Sequence, residues 1–176
     1  MSSWEYSLKD GRTVIVRHAR PEDAKNLHDG FGSVVEEGKW LPTFRVSASV
    51  ADWVNWIQRT YRTRDILMLA EVDGEYAGHI TLQPEEWMAS KHVAKLGIIV
   101  LKEYRHIGVG HSLMVSSEYA AKQVGYFKII LSTFHDNEVA RALYESVGYR
   151  NVGVRKDHFN MEYGFVDEIL MEKLLV

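Results

Sequence analysis

The chain has 176 residues, 46% of them hydrophobic and 26% charged, with a formal net charge of -3 and no cysteine. That is the length of one domain able to bury a core unaided, and the missing cysteines exclude disulfides, thiolate metal sites and a cysteine nucleophile. Scattered basic residues argue against a nucleic-acid surface, no apolar run reaches a membrane span, and the start MSSWEYSLKD lacks a signal-peptide core, so a single cytoplasmic domain over residues 1–176 is expected.

In chain order, a turn at Asp10-Gly11 introduces Thr13–His18, whose alternation and β-branching predict a strand. Pro21, followed by Glu22 and Asp23, opens a helix to about Val35, weakened late by Gly30 and Gly32. A loop over Glu36–Val46 carries Trp40, Pro42 and Phe44. The segment Ser49–Tyr61 then places Val50, Val54, Ile57 and Tyr61 at helical spacing. Trp53 and Trp56 beside that stripe are expected in the core, whereas Trp40 and Phe44 are candidates to line a pocket. Ile66–Val72 and Glu75–Leu82 read as strands joined by the hairpin signal Asp73-Gly74. Pro84–Trp87 turns the chain into a central strand, His92–Val100, where Gly97 marks a bulge or a close backbone approach.

The stretch after Val100 carries the chemistry. Four residues lead to Arg105, two more to Gly108, one more to Gly110, and a helical pattern follows. Glycines let a backbone approach a ligand, and the unbonded N–H groups of a first helical turn suit an anion. A Walker A loop is excluded because His111 and Ser112 follow Gly110. A dinucleotide fingerprint fits poorly, since Leu101–Ile107 separate the strand from the glycines and Leu113 holds the third glycine position; only Asp136, after the next strand, supports it.

Phe127–Phe134 predicts another strand and Asn137–Gly148 a short helix, with Asn137 as N-cap and Gly148 just past its end. Gly164–Val176 alternates as a closing strand. The predicted order β α α β β β α β α β β gives an α/β (α+β) fold around a mixed, mostly antiparallel sheet. The eight histidines show neither HxxxH nor HExxH spacing, so no metal site is expected.

Arg105, Gly108 and Gly110 together resemble the RxxGxG pyrophosphate loop of the GNAT superfamily of acyl-CoA N-acyltransferases. The ordered set Asn137, Ala140, Leu143, Tyr144, Gly148 and Tyr149 is similar to that superfamily's NxxAxxLYxxxGF block, with Tyr149 in place of phenylalanine, and VRHARPEDA looks like its opening strand and helix. The resemblance implies transfer of an acetyl group from acetyl-CoA to a primary amine, on a small molecule or a peptide, without a covalent enzyme intermediate. It implies that the backbone of Arg105, His106, Ile107, Gly108, Val109, Gly110 and His111 holds the pyrophosphate, with the Arg105 side chain adding charge. A bulge at Gly97, as in the family, would turn N–H groups toward the thioester. The edge at Ile98, Ile99 and Val100 would pair with the pantetheine arm and supply an oxyanion donor, Asn137 would bond that arm, and Tyr144 would act as general acid.

Some family members carry a base glutamate on the central strand or on the strand before the asparagine. Here the central strand has no carboxylate and Ser132 stands five residues before Asn137, leaving Glu85, Glu86, His79 and His135 as candidates through water. Glu36, Glu37, Trp40 and Phe44 are candidates to receive the amine, as is the segment Arg155–Tyr163. The alternative from another class is a non-catalytic acyl-CoA sensing module. By family habit a homodimer is the expected assembly.

Overall fold

Ser3–Ser7 (β1) and Thr13–His18 (β2) pair antiparallel across the Asp10-Gly11 turn in the computed structural model, which describes residues 2–175. The predicted order lacks β1, although its five residues alternate, with the strand-favouring aromatics Trp4 and Tyr6 half-buried between exposed neighbours. On β2 the alternation is obeyed, with Val14 and Val16 fully buried.

Pro21–Asp23 forms a single 3-10 turn leading into α1, Ala24–Glu36. The helix runs on through Gly30 and Gly32. A Cβ at Gly30 would lie 2.3 Å from the Tyr76 ring, so the missing side chain is what lets that ring pack against the helix. The second helix, α2 (Val50–Thr60), begins with a reciprocal cap: the Asp52 N–H donates to Ser49 Oγ at 3.2 Å, and the Ser49 N–H donates to the Asp52 carboxylate at 2.7 Å. Leu27, Trp53 and Ile57 of these helices meet Leu67 and Leu69 on one face of the sheet, and Trp56 packs beside them, in agreement with the expected core role of both tryptophans.

The remaining elements are β3 (Ile66–Val72), β4 (Glu75–Pro84), β5 (Val93–Val100), α3 (Val109–Gln123), β6 (Lys128–Phe134), α4 (Glu138–Ser146), β7 (Arg150–Met161) and β8 (Gly164–Leu174). Val176, expected at the end of the closing strand, lies outside the described residues. The sheet order is β1-β2-β3-β4-β5-β6-β8-β7, antiparallel throughout except for the parallel pair β5–β6. This is the mixed, mostly antiparallel α/β fold expected. The main core fills the other face, where Leu113 and Met114 of α3 and Tyr144 of α4 pack against residues such as Ile80, Leu96 and Ile129. Arg17 of β2 ties the 3-10 turn before α1 to β3, bonding Asp23 at 2.8 Å and Glu71 at 2.6 Å.

Gly97 does not carry a bulge. The β4–β5 register runs unbroken through Thr81↔Gly97, and the glycine serves a close approach instead, since a Cβ there would stand 3.0 Å from Thr81 Oγ1. The register shift falls one strand earlier, between Ala70 and Glu71 of β3, where β4 contributes an extra residue, Ala77.

Candidate active site

The parallel pairing of β5 and β6 covers only Val93↔Lys128, Ala94↔Ile129 and Lys95↔Ile130. Beyond it the strands separate, leaving a cleft of about 1200 Å³ that runs from the β1 end of the molecule to β7. Ligand pockets for one small molecule hold roughly 300–1,000 Å³, so this cleft has room for a large ligand or for two.

Which backbone groups of β5 face the gap follows from hydrogen-bond parity. The Glu85 N–H donates to the Val93 carbonyl at 3.0 Å and the Leu101 N–H to the Ala77 carbonyl at 2.9 Å. Because bonded and non-bonded pairs alternate along an antiparallel ladder, Lys95, Gly97 and Ile99 also turn toward β4, while Ile98 and Val100 turn toward the gap. The expected edge Ile98, Ile99, Val100 is therefore corrected: Ile99 lines the cleft, but its main-chain groups are spent on β4. The Val100 carbonyl is also taken, by Arg105 Nε at 2.9 Å. Ile98, with the Val100 N–H, is the free edge.

The anion cradle follows directly. A 3-10 turn over Lys102–Tyr104 leads to His106 at φ +66° and Gly108 at φ +110°, and the first bond of α3 is Ser112 N–H to the Gly108 carbonyl at 3.0 Å. The N–H groups of Val109, Gly110 and His111 thus precede the first helical bond and sit at the positive end of the dipole. Any side chain at Gly108 would be strained by its φ, whereas at Gly110 the limit is space: a Cβ would be 3.0 Å from Leu143 Cδ2. The Val109 side chain is core, so only its backbone is available to a ligand, while His106, Ile107 and His111 line the cleft. The Lys9 N–H, donating to the Ile107 carbonyl at 2.9 Å, pins the loop to the end of the β1–β2 hairpin.

Arg105 departs from expectation. Its guanidinium forms a bidentate pair with Glu37, at 2.8 and 2.6 Å, and lies 5.8 Å from the centre of the Trp40 ring. Glu37 also accepts from Trp40 Nε1 at 2.7 Å. This carboxylate, expected to meet a cationic amine, is already neutralised, and the paired arginine holds it below its usual pKa. Trp40 lines the cleft with Leu41 and Pro42, but Phe44 is 61% exposed and does not.

Asn137 does two things at once. Its carboxamide oxygen accepts from the Ala140 N–H at 3.1 Å, capping α4, and the residue lines the cleft. Two turns further on, Tyr144 is 6% exposed and borders the same cleft. Burial alone raises its pKa well above the ordinary phenol value, which keeps the hydroxyl protonated but makes it a weaker acid.

None of the four candidate bases lines the cleft. His79 is buried behind β4, with Nδ1 2.6 Å from the Tyr76 hydroxyl and its ring edge-on to Trp53. Burial lowers its pKa to about 3. The unfolded chain therefore takes up this proton first, so the stability from a neutral His79 is complete above the ordinary histidine value of 6.5 and erodes as pH falls toward the folded value. Urea denaturation over a pH series is expected to show a slope of up to ~1.4 kcal/mol per pH unit from this group, absent in a His79→Leu chain.

Of Arg155–Tyr163, only Phe159 reaches the cleft wall. The cleft also uses residues the sequence did not single out: Glu5, Tyr6, Ser7 and Lys9 near the cradle, and Val34 and Phe134 elsewhere along the wall. They carry no motif, and only the tertiary fold brings them to the site. Among the described residues there is no cluster of three metal-ligating side chains, and no helix is long and apolar enough to cross a membrane.

A splayed β5–β6 pair with a helix N-terminus at its mouth and a buried tyrosine on its wall fits acetyl-CoA, and the comparisons agree. Residues 36–149 match the acetyltransferase (GNAT) family, and the chain belongs to it. It is 28% identical over 108 residues to the L-amino acid N-acetyltransferase AaaT of Escherichia coli (strain K12), covering 61% of this chain and 67% of that protein. It is 32% identical over 103 residues to an N-alpha-acetyltransferase of Sulfurisphaera tokodaii, covering 52% and 60%. A GNAT-family acetyltransferase from Streptococcus pneumoniae shares the fold at TM-score 0.86 and 23% identity, over 92% of this chain and 99% of that one. The yncA protein of Salmonella typhimurium, solved with its cofactor acetyl-CoA, does so at TM-score 0.86 and 14% identity, over 93% and 94%.

Proposed function

We propose that this acetyltransferase moves the acetyl group of acetyl-CoA to an α-amine, that of a free amino acid or of a peptide N-terminus. The observation that carries the reading is the charge of the cleft wall. Among the described residues its only carboxylate is Glu5, on β1, at the opposite sheet edge from β7. An attacking amine must be neutral. Freeing an alkyl amine of pKa ~10.4 at pH 7 costs roughly 4.6 kcal/mol, against about 1 kcal/mol for an α-amine near 7.7–8.0. A wall with no carboxylate beside the gap, whose histidines His106 and His111 lie in the loop and helix start after β5, suits the second. Both curated relatives also carry names that specify an amino acid or an α-amine.

In this reading the amine nitrogen attacks the thioester carbonyl, and the N–H of Ile98 or Val100 donates to the oxyanion. As the tetrahedral intermediate collapses, the carbon–sulfur bond breaks, Tyr144 protonates the departing thiolate, and the nitrogen loses its proton to water. The test is a panel of amines followed by thiol release. For α-amines kcat/KM is expected to rise about tenfold per pH unit below the amine's own pKa and to level off near pH 8. Faster turnover of alkyl amines at pH 7 would contradict the proposal, and acetyl-CoA binding without thiol release for any amine would favour a sensing module.

A further inference from the structure

We propose that Arg105 and Glu37 form a positioning pair for the acceptor: they fix the Trp40 wall of the cleft to the last residue of β5, and the Arg105 side chain is not a pyrophosphate ligand. The inference rests on the acetyltransferase reading but not on which amine is accepted.

The geometry is a chain of contacts. The Val100 carbonyl, at the end of the strand whose free edge faces the gap, accepts from Arg105 Nε at 2.9 Å. The two terminal nitrogens of the same guanidinium hold the two Glu37 oxygens at 2.8 and 2.6 Å. Trp40 Nε1 then donates to Glu37 Oε2 at 2.7 Å, and its ring lies 5.8 Å from the guanidinium carbon. Trp40, Leu41 and Pro42, which follow directly, form the wall contributed by the loop between α1 and α2. Each hydrogen bond in the chain has a charged group as one partner, so the loop's position is referenced to the strand.

Charge leads to the same conclusion. All three nitrogens of the guanidinium have partners, and the carboxylate beside them cancels the positive charge that an anion would need. With side chains only 21% and 25% exposed, the pair is shielded from the solvent that weakens surface ion pairs. The phosphate groups are left to the backbone N–H groups of the helix start.

The test compares Arg105→Gln, Arg105→Lys, Glu37→Gln and the double variant Arg105→Gln/Glu37→Gln in the full chain. Three readouts are taken: calorimetric titration with acetyl-CoA, kinetics with whichever amine of the panel is turned over, and amide hydrogen exchange across residues 38–48. The pair predicts acetyl-CoA dissociation constants within about threefold of the parent, and an acceptor KM raised roughly tenfold by each single change, because a wall displaced by a fraction of an ångström misplaces the amine. Exchange in residues 38–48 is expected to quicken in every variant. The double variant should be no worse than either single one. Lysine keeps the charge but loses the fork and the Nε donor, so Arg105→Lys should behave like Arg105→Gln. The proposal is overturned if Arg105→Gln weakens acetyl-CoA tenfold or more while Arg105→Lys and Glu37→Gln do not, or if exchange in residues 38–48 is unchanged throughout. Titration and exchange need no acceptor, so they decide the matter even if the α-amine reading fails.

Discussion

A Gly110→Leu chain is expected to fold and to lose at least a hundredfold in acetyl-CoA affinity, about 2.8 kcal/mol. Gly110 is the second residue of α3, past the strained turn. Leucine is the better helix former there by roughly 1 kcal/mol, so the helix itself gains. The loss is one of space. A Cβ at this position already crowds Leu143 Cδ2 at 3.0 Å, with Val100 Cγ2 at 3.8 Å, and a whole leucine side chain must extend into the cleft where the helix start meets α4. Calorimetric titration with acetyl-CoA is the measurement, and the far-ultraviolet circular dichroism spectrum controls for folding. Undiminished affinity in a folded protein would remove the cradle and every site assignment that depends on it. Gly108→Arg makes a harsher comparison, since it adds backbone strain at φ +110° to the steric block.

Tyr144→Phe is expected to bind acetyl-CoA within about twofold of the parent and to turn over roughly 10–100-fold more slowly, at or below the lower end of the ~100–10,000-fold range for general acid catalysis. The placement in that range comes from energetics. A thiolate of pKa ~8.5 is a competent leaving group, and an unperturbed phenol near ~10 would protonate it uphill by roughly 2 kcal/mol. Burial makes Tyr144 a weaker acid still. The same shift keeps the hydroxyl protonated, so the pH–rate profile of the parent should show no falling limb from this group below pH 10. An unchanged kcat in the phenylalanine variant, with the rate still depending on which amine is offered, would exclude Tyr144 as the acid.

The chemistry-bearing stretches were legible because their constraints are local. A left-handed glycine before a helix, an asparagine cap three residues before the N–H it satisfies, and Gly148 at φ +92° after α4 each leave a mark within a few positions of sequence. What stayed hidden depends on partners far apart. Arg105 and Glu37 are 68 positions apart, and nothing in the sequence says which of 24 acidic residues an arginine will meet. The phase of β5 was hidden for a related reason: whether Ile98 or Ile99 faces the gap is fixed by the β4 register, and three consecutive apolar residues read alike. Strand β1 does carry the alternation, through Trp4 and Tyr6, so its absence from the predicted order is a missed local signal rather than a hidden one.

The three-rung parallel seam has a mechanical meaning. Among the described residues it is the only main-chain ladder between the five strands β1–β5 and the three strands β6, β8 and β7. Beyond Lys95 and Ile130 the sheet resembles a zipper left partly undone, and a pantetheine arm lying along Ile98 would act as the missing teeth. The co-substrate would then be a temporary structural member of the enzyme as well as its acyl donor. Each turnover would close the sheet and each release of CoA would open it again, which ties the stiffness of the molecule to its place in the catalytic cycle.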